Sequence, residues 1–219
     1  MVNFHPPEEL LLDYCSGELS HPWAVLVATH LTLCPDCRTA MAGLDRVGGL
    51  FLEEAPPARM EAGTLDAVLA RLDDPEEKGA VPAAPKRRLT DDFGLLPRPL
   101  ADFLGCGVAE IPWRTILPGV QEYAVPGPAE AGRPAMLRIR PGSPVPQHTH
   151  RGGEAIVLLS GGFFDGIASY RRGDVSWADG RHEHRPVADL DEECLCFTVT
   201  EAPVRFTGPI SRFLNLFTG

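Results

Sequence analysis

Between Pro141 and Gly162 the chain reads PGSPVPQHTHRGGEAIVLLSGG, with His148 and His150 two residues apart and Glu154 just after a glycine pair. Side chains two apart on a strand leave by the same face, so both imidazoles would enter one cavity. A turn at Gly152 and Gly153 then lets Glu154, at the head of the apolar run Ala155 to Leu159, bring its carboxylate beside them. Further on, GDVSWADGRHEHRPVA places His184 eleven residues beyond Gly173. Three imidazoles and a carboxylate converging inside a barrel make a divalent transition-metal site. His182, two residues before His184 and on the same strand face, competes for the last position.

The rest of the chain divides by texture around that motif. Up to about residue 75 the apolar positions recur at helical spacing: Leu10, Leu11, Leu12 and Tyr14; Trp23, Val25, Leu26, Val27 and Leu31; Met41, Leu44, Val47, Leu50 and Phe51. Gly17 marks the end of a first helix, Pro22 the start of a second and Pro35 the first turn of a third. Leu65 to Leu72 forms a fourth, with Thr64 as its expected N-cap. The stretch from Asp73 to Pro99 is rich in proline and charge and has no apolar period, as a linker should be. Beyond it come short β-rich runs at Trp113 to Ile116, Gln121 to Val125, Ala135 to Arg140 and Ala155 to Leu159. The expected organisation is a helical domain over 1–75, a linker over 76–99 and a barrel over 100–219.

A second constellation lies in the helical part, where HLTLCPDC spaces His30, Cys34 and Cys37 as His-x3-Cys-x2-Cys. Residues four apart share a helix face, so His30 and Cys34 point the same way. Pro35 breaks the chain, and Cys37 enters from the first turn of the next helix, where the helix dipole favours a thiolate. This donor set suits tetrahedral zinc, which needs a fourth ligand to close a structural site. His5, just before the first helix, is the choice, with Cys15 and His21 as alternatives. A redox-active Cys-x2-Cys would follow a β-strand, whereas this context is helical. For a helical unit of this size, zinc would act as a staple across a thin core.

On these residues the N-terminal part resembles the zinc-dependent anti-sigma factors, whose pattern falls here on His5, His30, Cys34 and Cys37. The strand-rich part resembles the cupin superfamily. Its first motif is matched throughout, and its second only at Gly173 and His184, with Asp179, Arg181 and Ala188 standing where proline, glycine and asparagine are usual. Both together, with VATHLTLCPDC, HTHRGGE, EHRPVA, CLCF and EAPVRF, resemble the ChrR-type zinc anti-sigma factors over nearly the whole chain. The resemblance implies an α+β multidomain chain, a small zinc-binding helical bundle followed by a cupin jelly-roll (double-stranded β-helix) barrel. It implies metal ligands at His5, His30, Cys34, Cys37, His148, His150, Glu154 and His184. It further implies an extracytoplasmic-function sigma factor as partner, held by the helical domain, with the cupin needed to respond to singlet oxygen or organic hydroperoxides.

Charge agrees with a protein partner. Of a formal net charge of −10, the segment Met1 to Gly79 carries −9, from 14 acidic and 5 basic residues. Such a surface repels nucleic acid and attracts basic proteins, so no direct nucleic-acid contact is expected. No apolar run spans a bilayer and the start has no export signal, which makes the cytoplasm the expected address and metal ligation a better use of six cysteines than disulfides. Zinc is expected at the N-terminal site; for the barrel, zinc is favoured, with iron, manganese or nickel also compatible. Cys194 and Cys196 share one strand face and are expected as core thiols, with redox sensing the alternative. The apolar tail of Phe206, Phe213, Leu214, Leu216 and Phe217 is expected to pack on the barrel or support a homodimer. The chain is expected not to be an enzyme; the competing expectation is a mononuclear cupin oxygenase or isomerase with an N-terminal regulatory part.

Overall fold

The computed structural model describes residues 2–72 and 95–208. Most of the expected linker, and the tail residues Phe213 to Phe217, lie outside them. The chain opens with four helices, α1 (Glu8–Ser16), α2 (His21–Leu33), α3 (Pro35–Glu54) and α4 (Thr64–Leu72), and a fifth, α5 (Arg98–Leu104), leads into the strands. The boundaries follow the expected signals. Gly17 closes α1 in the left-handed region at φ 77°, and prolines occupy the first turns of α2 and α3. Thr64 departs from expectation. It lies within α4 and its hydroxyl donates to the Glu61 carbonyl at 2.8 Å, tying the helix to the preceding turn rather than capping it.

Eleven strands follow: β1 (Arg114–Leu117), β2 (Val120–Ala124), β3 (Arg133–Ile139), β4 (His148–Thr149), β5 (Glu154–Ser160), β6 (Gly162–Phe164), β7 (Ser169–Arg171), β8 (Val175–Ala178), β9 (Val187–Ala188), β10 (Cys194–Thr200) and β11 (Arg205–Phe206). Six form one antiparallel sheet in the order β1-β2-β3-β10-β5-β8, and smaller sheets β11-β4 and β7-β6-β9 close the other side. Bridges at Pro144–Val187 and His148–His184 join these short pieces into a jelly roll.

The central strands β5 and β10 are buried on both faces. Alternation along a strand divides their side chains between two cores. Ile156, Leu158, Cys194 and Cys196 turn inward with Val120, Ile139 and Phe163. Ala155, Val157, Leu159, Leu195, Phe197 and Val199 turn outward onto Leu26, Val27 and Leu100 of the helices. Two tryptophans meet across this seam, Trp23 of α2 and Trp177 of β8, with ring centroids 5.9 Å apart. Phe103 of α5 packs edge-on to both His21 and Phe197. Helices and barrel therefore share one continuous apolar core. Leu96, within the stretch expected as linker, is already buried in it.

Candidate metal centres

In the N-terminal cluster, His30 sits on the last turns of α2, Cys34 at the break and Cys37 in the first turn of α3, while His5 arrives on the extended segment before α1. One donor atom from each of the four lies within 4.8 Å of the others. His5 Nδ1 is 3.4 Å from Cys34 Sγ and 3.3 Å from Cys37 Sγ, and His30 Nε2 is 3.2 Å from Cys37 Sγ. His30 donates its other ring nitrogen, Nδ1, to the Gly173 carbonyl at 2.8 Å, which fixes the tautomer that turns Nε2 to the sulfurs. The alternatives for the fourth position lie elsewhere: the Cys15 thiol is at Asp45, and His21 stacks on Phe103.

The barrel cluster forms where β4 runs into the β4–β5 turn. His148 lies on β4, His150 one step beyond it, Glu154 at the start of β5, and His184 is bridged to His148 by paired backbone hydrogen bonds of 3.1 Å. All four are buried, and their donor atoms also fall within 4.8 Å of one another. His184 Nε2 is 3.0 Å from His148 Nε2 and 3.1 Å from His150 Nε2; Glu154 Oε2 is 3.5 Å from His150 Nε2. His148 donates Nδ1 to the Pro146 carbonyl, leaving Nε2 for the centre. His182, the competitor for His184, is half-exposed and turned to the Asp179 carboxylate at 2.9 Å.

Both clusters are electrostatically suited to a cation. Burial lowers the His30 pKa to about 4 and raises that of Cys37 to about 12, the latter also through neighbouring Cys34. In the barrel, burial takes His150 to about 3, with His148 and His184 adding to the shift, and His184 to about 4; it lowers His148 as well. Burial raises Glu154 to about 8. Neutral imidazoles are the ligating form, and a divalent ion would stabilise the carboxylate and thiolates that burial disfavours. Donor sets of two thiols with two imidazoles, and of three imidazoles with one carboxylate, both fit such an ion. Cys194 and Cys196 line the barrel interior fully buried; the thiol of Cys196 is shifted well up, first by its hydrogen bond with Cys194 and then by burial, so it is held as a thiol, as a core residue should be.

Sequence reading missed what holds the first cluster from behind. Asn3 and Phe4 donate their backbone N–H groups to Asp174 Oδ1 at 2.7 and 3.1 Å, and Val175 N–H donates to the Phe4 carbonyl. No spacing rule connects residues so distant in the chain.

Residues 103–203 match a family model described as the ChrR cupin-like domain. The chain is 37% identical over 216 residues to the anti-sigma-E factor ChrR of Cereibacter sphaeroides, covering 99% of this chain and 98% of that protein. It also matches the crystal structure of Rhodobacter sphaeroides SigE in complex with the anti-sigma ChrR, at a TM-score of 0.76 and 35% identity over 91% of this chain and 99% of that one. With identity sustained from the helices through the barrel, this chain belongs to the ChrR family of anti-sigma factors.

Proposed function

We propose that the chain is an anti-sigma factor that captures an extracytoplasmic-function sigma factor on its helical part and releases it under oxidative stress. It works in the cytoplasm, with zinc in the cluster of His5, His30, Cys34 and Cys37, and zinc as the favoured ion at His148, His150, Glu154 and His184. The functional division follows the helical segment 1–75 and the cupin segment 100–219. No helix among the described residues is long and apolar enough to cross a membrane.

The observation that carries this reading is the apolar surface of α3 and α4. Val47, Leu50, Phe51 and Leu52 on α3, and Leu65, Val68, Leu69 and Leu72 on α4, are all exposed, with Phe51 at 70% and Leu52 at 78%. Exposed apolar side chains in this number mark an interaction surface, and amphipathic helices are a common way to present one. Its acidic setting favours a basic partner. The relative solved as a complex with a sigma factor supplies the partner class. With zinc, the favoured ion, the four buried donors in the barrel would complete a tetrahedron and leave no position for a substrate, which supports a regulator over a cupin enzyme.

Copurification with extracytoplasmic-function sigma factors and inhibition of their transcription in vitro test the proposal. In the double variant Phe51→Glu, Leu52→Glu, capture should weaken by roughly 30-fold or more, the loss of about 2 kcal/mol that an interface hot spot carries. Thermal stability should stay within about 0.5 kcal/mol, because both side chains face solvent. Undiminished capture would remove this face from the interface. His148→Ala should leave capture intact and abolish release by singlet oxygen or an organic hydroperoxide; a variant that still responds would separate the barrel cluster from sensing.

A further inference from the structure

We propose that the β7–β8 turn of the barrel positions the two histidines of the N-terminal cluster, with Asp174 as the residue that organises it. The inference rests on that cluster binding a metal.

Both histidines of the cluster are tied to this one turn, His30 through its ring and His5 through the adjoining backbone. His30 is held through its ring nitrogen by the Gly173 carbonyl. His5 is held through the backbone beside it: Phe4 N–H and Asn3 N–H end on Asp174 Oδ1, Phe4 C=O accepts from Val175, and the Phe4 ring lies 4.7 Å from that of Tyr170. The other carboxylate oxygen, Asp174 Oδ2, accepts from Arg171 N–H at 2.8 Å and closes the turn on itself. At 1% exposure, Asp174 uses both oxygens on backbone donors, those of Asn3, Phe4 and Arg171 among the described residues. Charge-assisted bonds of this kind are the strong ones, and they fix backbone position rather than merely fill space. Gly173 has φ +93°, and a Cβ there would come within 2.8 Å of Val2 and 3.5 Å of Leu33, so the turn is closely covered by the N-terminal segment and the end of α2.

The cysteines are placed differently. Cys34 and Cys37 are fixed by the α2–α3 junction, where Cys37 N–H donates to Cys34 Sγ at 3.4 Å. The thiols are therefore placed by the helices alone, whereas His30, although it sits on α2, has its ring oriented by the barrel's turn, and His5 has its backbone anchored there. Partners behind a ligating histidine set its tautomer and orientation, and their loss typically costs about 10–100-fold in metal affinity. The turn is itself tied to β5, since Gly173 N–H donates to the Leu158 carbonyl and Leu158 N–H to that of Asp174. Glu154, of the second cluster, opens that same strand.

Cobalt(II) loaded into the full-length protein reads the N-terminal site selectively, because only that cluster offers thiolates for a sulfur-to-metal charge-transfer band. The variants are Asn3→Pro, which deletes one donor to Asp174; Phe4→Ala, which removes the ring contact; and Asp174→Asn. In each, a chelator should bleach the thiolate band at about 10–100-fold lower concentration than in the unsubstituted chain, while the ion in the barrel is retained as before. Should Asp174→Asn not fold, the two N-terminal variants decide, since neither alters a barrel residue. Bleaching at the unsubstituted concentration in Asn3→Pro and Phe4→Ala overturns the inference, as does parallel loss of both ions. A chain without any thiolate band fails one step earlier, at the metal reading itself.

Discussion

Replacing Cys34 or Cys37 by serine is expected to lower the metal content of the full chain from two ions to one and to abolish capture of the sigma factor. The two thiols sit at the junction where α2 ends and α3 begins. Their loss therefore acts on the angle between those helices, and α3 carries Val47, Leu50, Phe51 and Leu52 on its exposed face. Structural zinc contributes about 10–16 kcal/mol in small metal-dependent domains. A whole domain is typically stable by only about 5–15 kcal/mol. The ion can thus decide by itself whether α3 is held in place. Metal analysis of the purified variant checks the first half of the result and copurification the second. Two ions retained per chain would contradict the assignment of the cluster, and full capture with one ion would show that α3 needs no staple.

Phe197→Ala should destabilise the protein by about 3–5 kcal/mol, the range for removing a buried aromatic ring, and helices and barrel should lose structure together. Phe197 is fully buried at the middle of β10, faces outward, and meets Phe103 of α5 with ring centroids 6.0 Å apart. The cavity would therefore open at the seam. Urea unfolding followed by far-ultraviolet circular dichroism reads mostly helix, while tryptophan fluorescence reads the Trp23–Trp177 pair across the seam together with Trp113, just before β1. Coincident transitions, shifted together in the variant, are the expected outcome. A barrel transition that moves while the helical one stays would mean that the two parts are stabilised separately.

How much of this was legible in the sequence can be judged from particular residues. The eight candidate ligands cluster as the spacing and the resemblance implied; within each motif the reason is local, since His-x3-Cys spans one helical turn and His148-x-His150 one strand repeat, whereas His5 and His184 join from segments 25 and 30 residues away. Glycine and proline marked the helix ends for reasons equally local, the left-handed closure at Gly17 and the missing N–H at Pro22 and Pro35. The shared core was legible in principle. HPWAVLVATHLTL has no polar stripe, and a helix that is apolar all round must be covered. EAIVLLS and CLCFTVT lack the polar alternation of a strand with a wet face, so they too needed layers on both sides. What covered them could not be read, since the partner surfaces lie far apart in sequence. The contact of Asn3 and Phe4 with Asp174 is the extreme case: a buried aspartate looks like any other aspartate until the fold brings backbone donors to it.

The double duty of β5 limits how the gene for such a chain can change. Successive residues face alternately the metal lining and the helical layer, so one inserted codon between Glu154 and Leu159 would exchange the two sets, swinging downstream methyl groups from one compartment to the other. Substitutions in this strand can be absorbed singly; length changes cannot. Insertions and deletions are better accommodated in connections such as 126–128, where the chain is exposed and no facing pattern has to be kept.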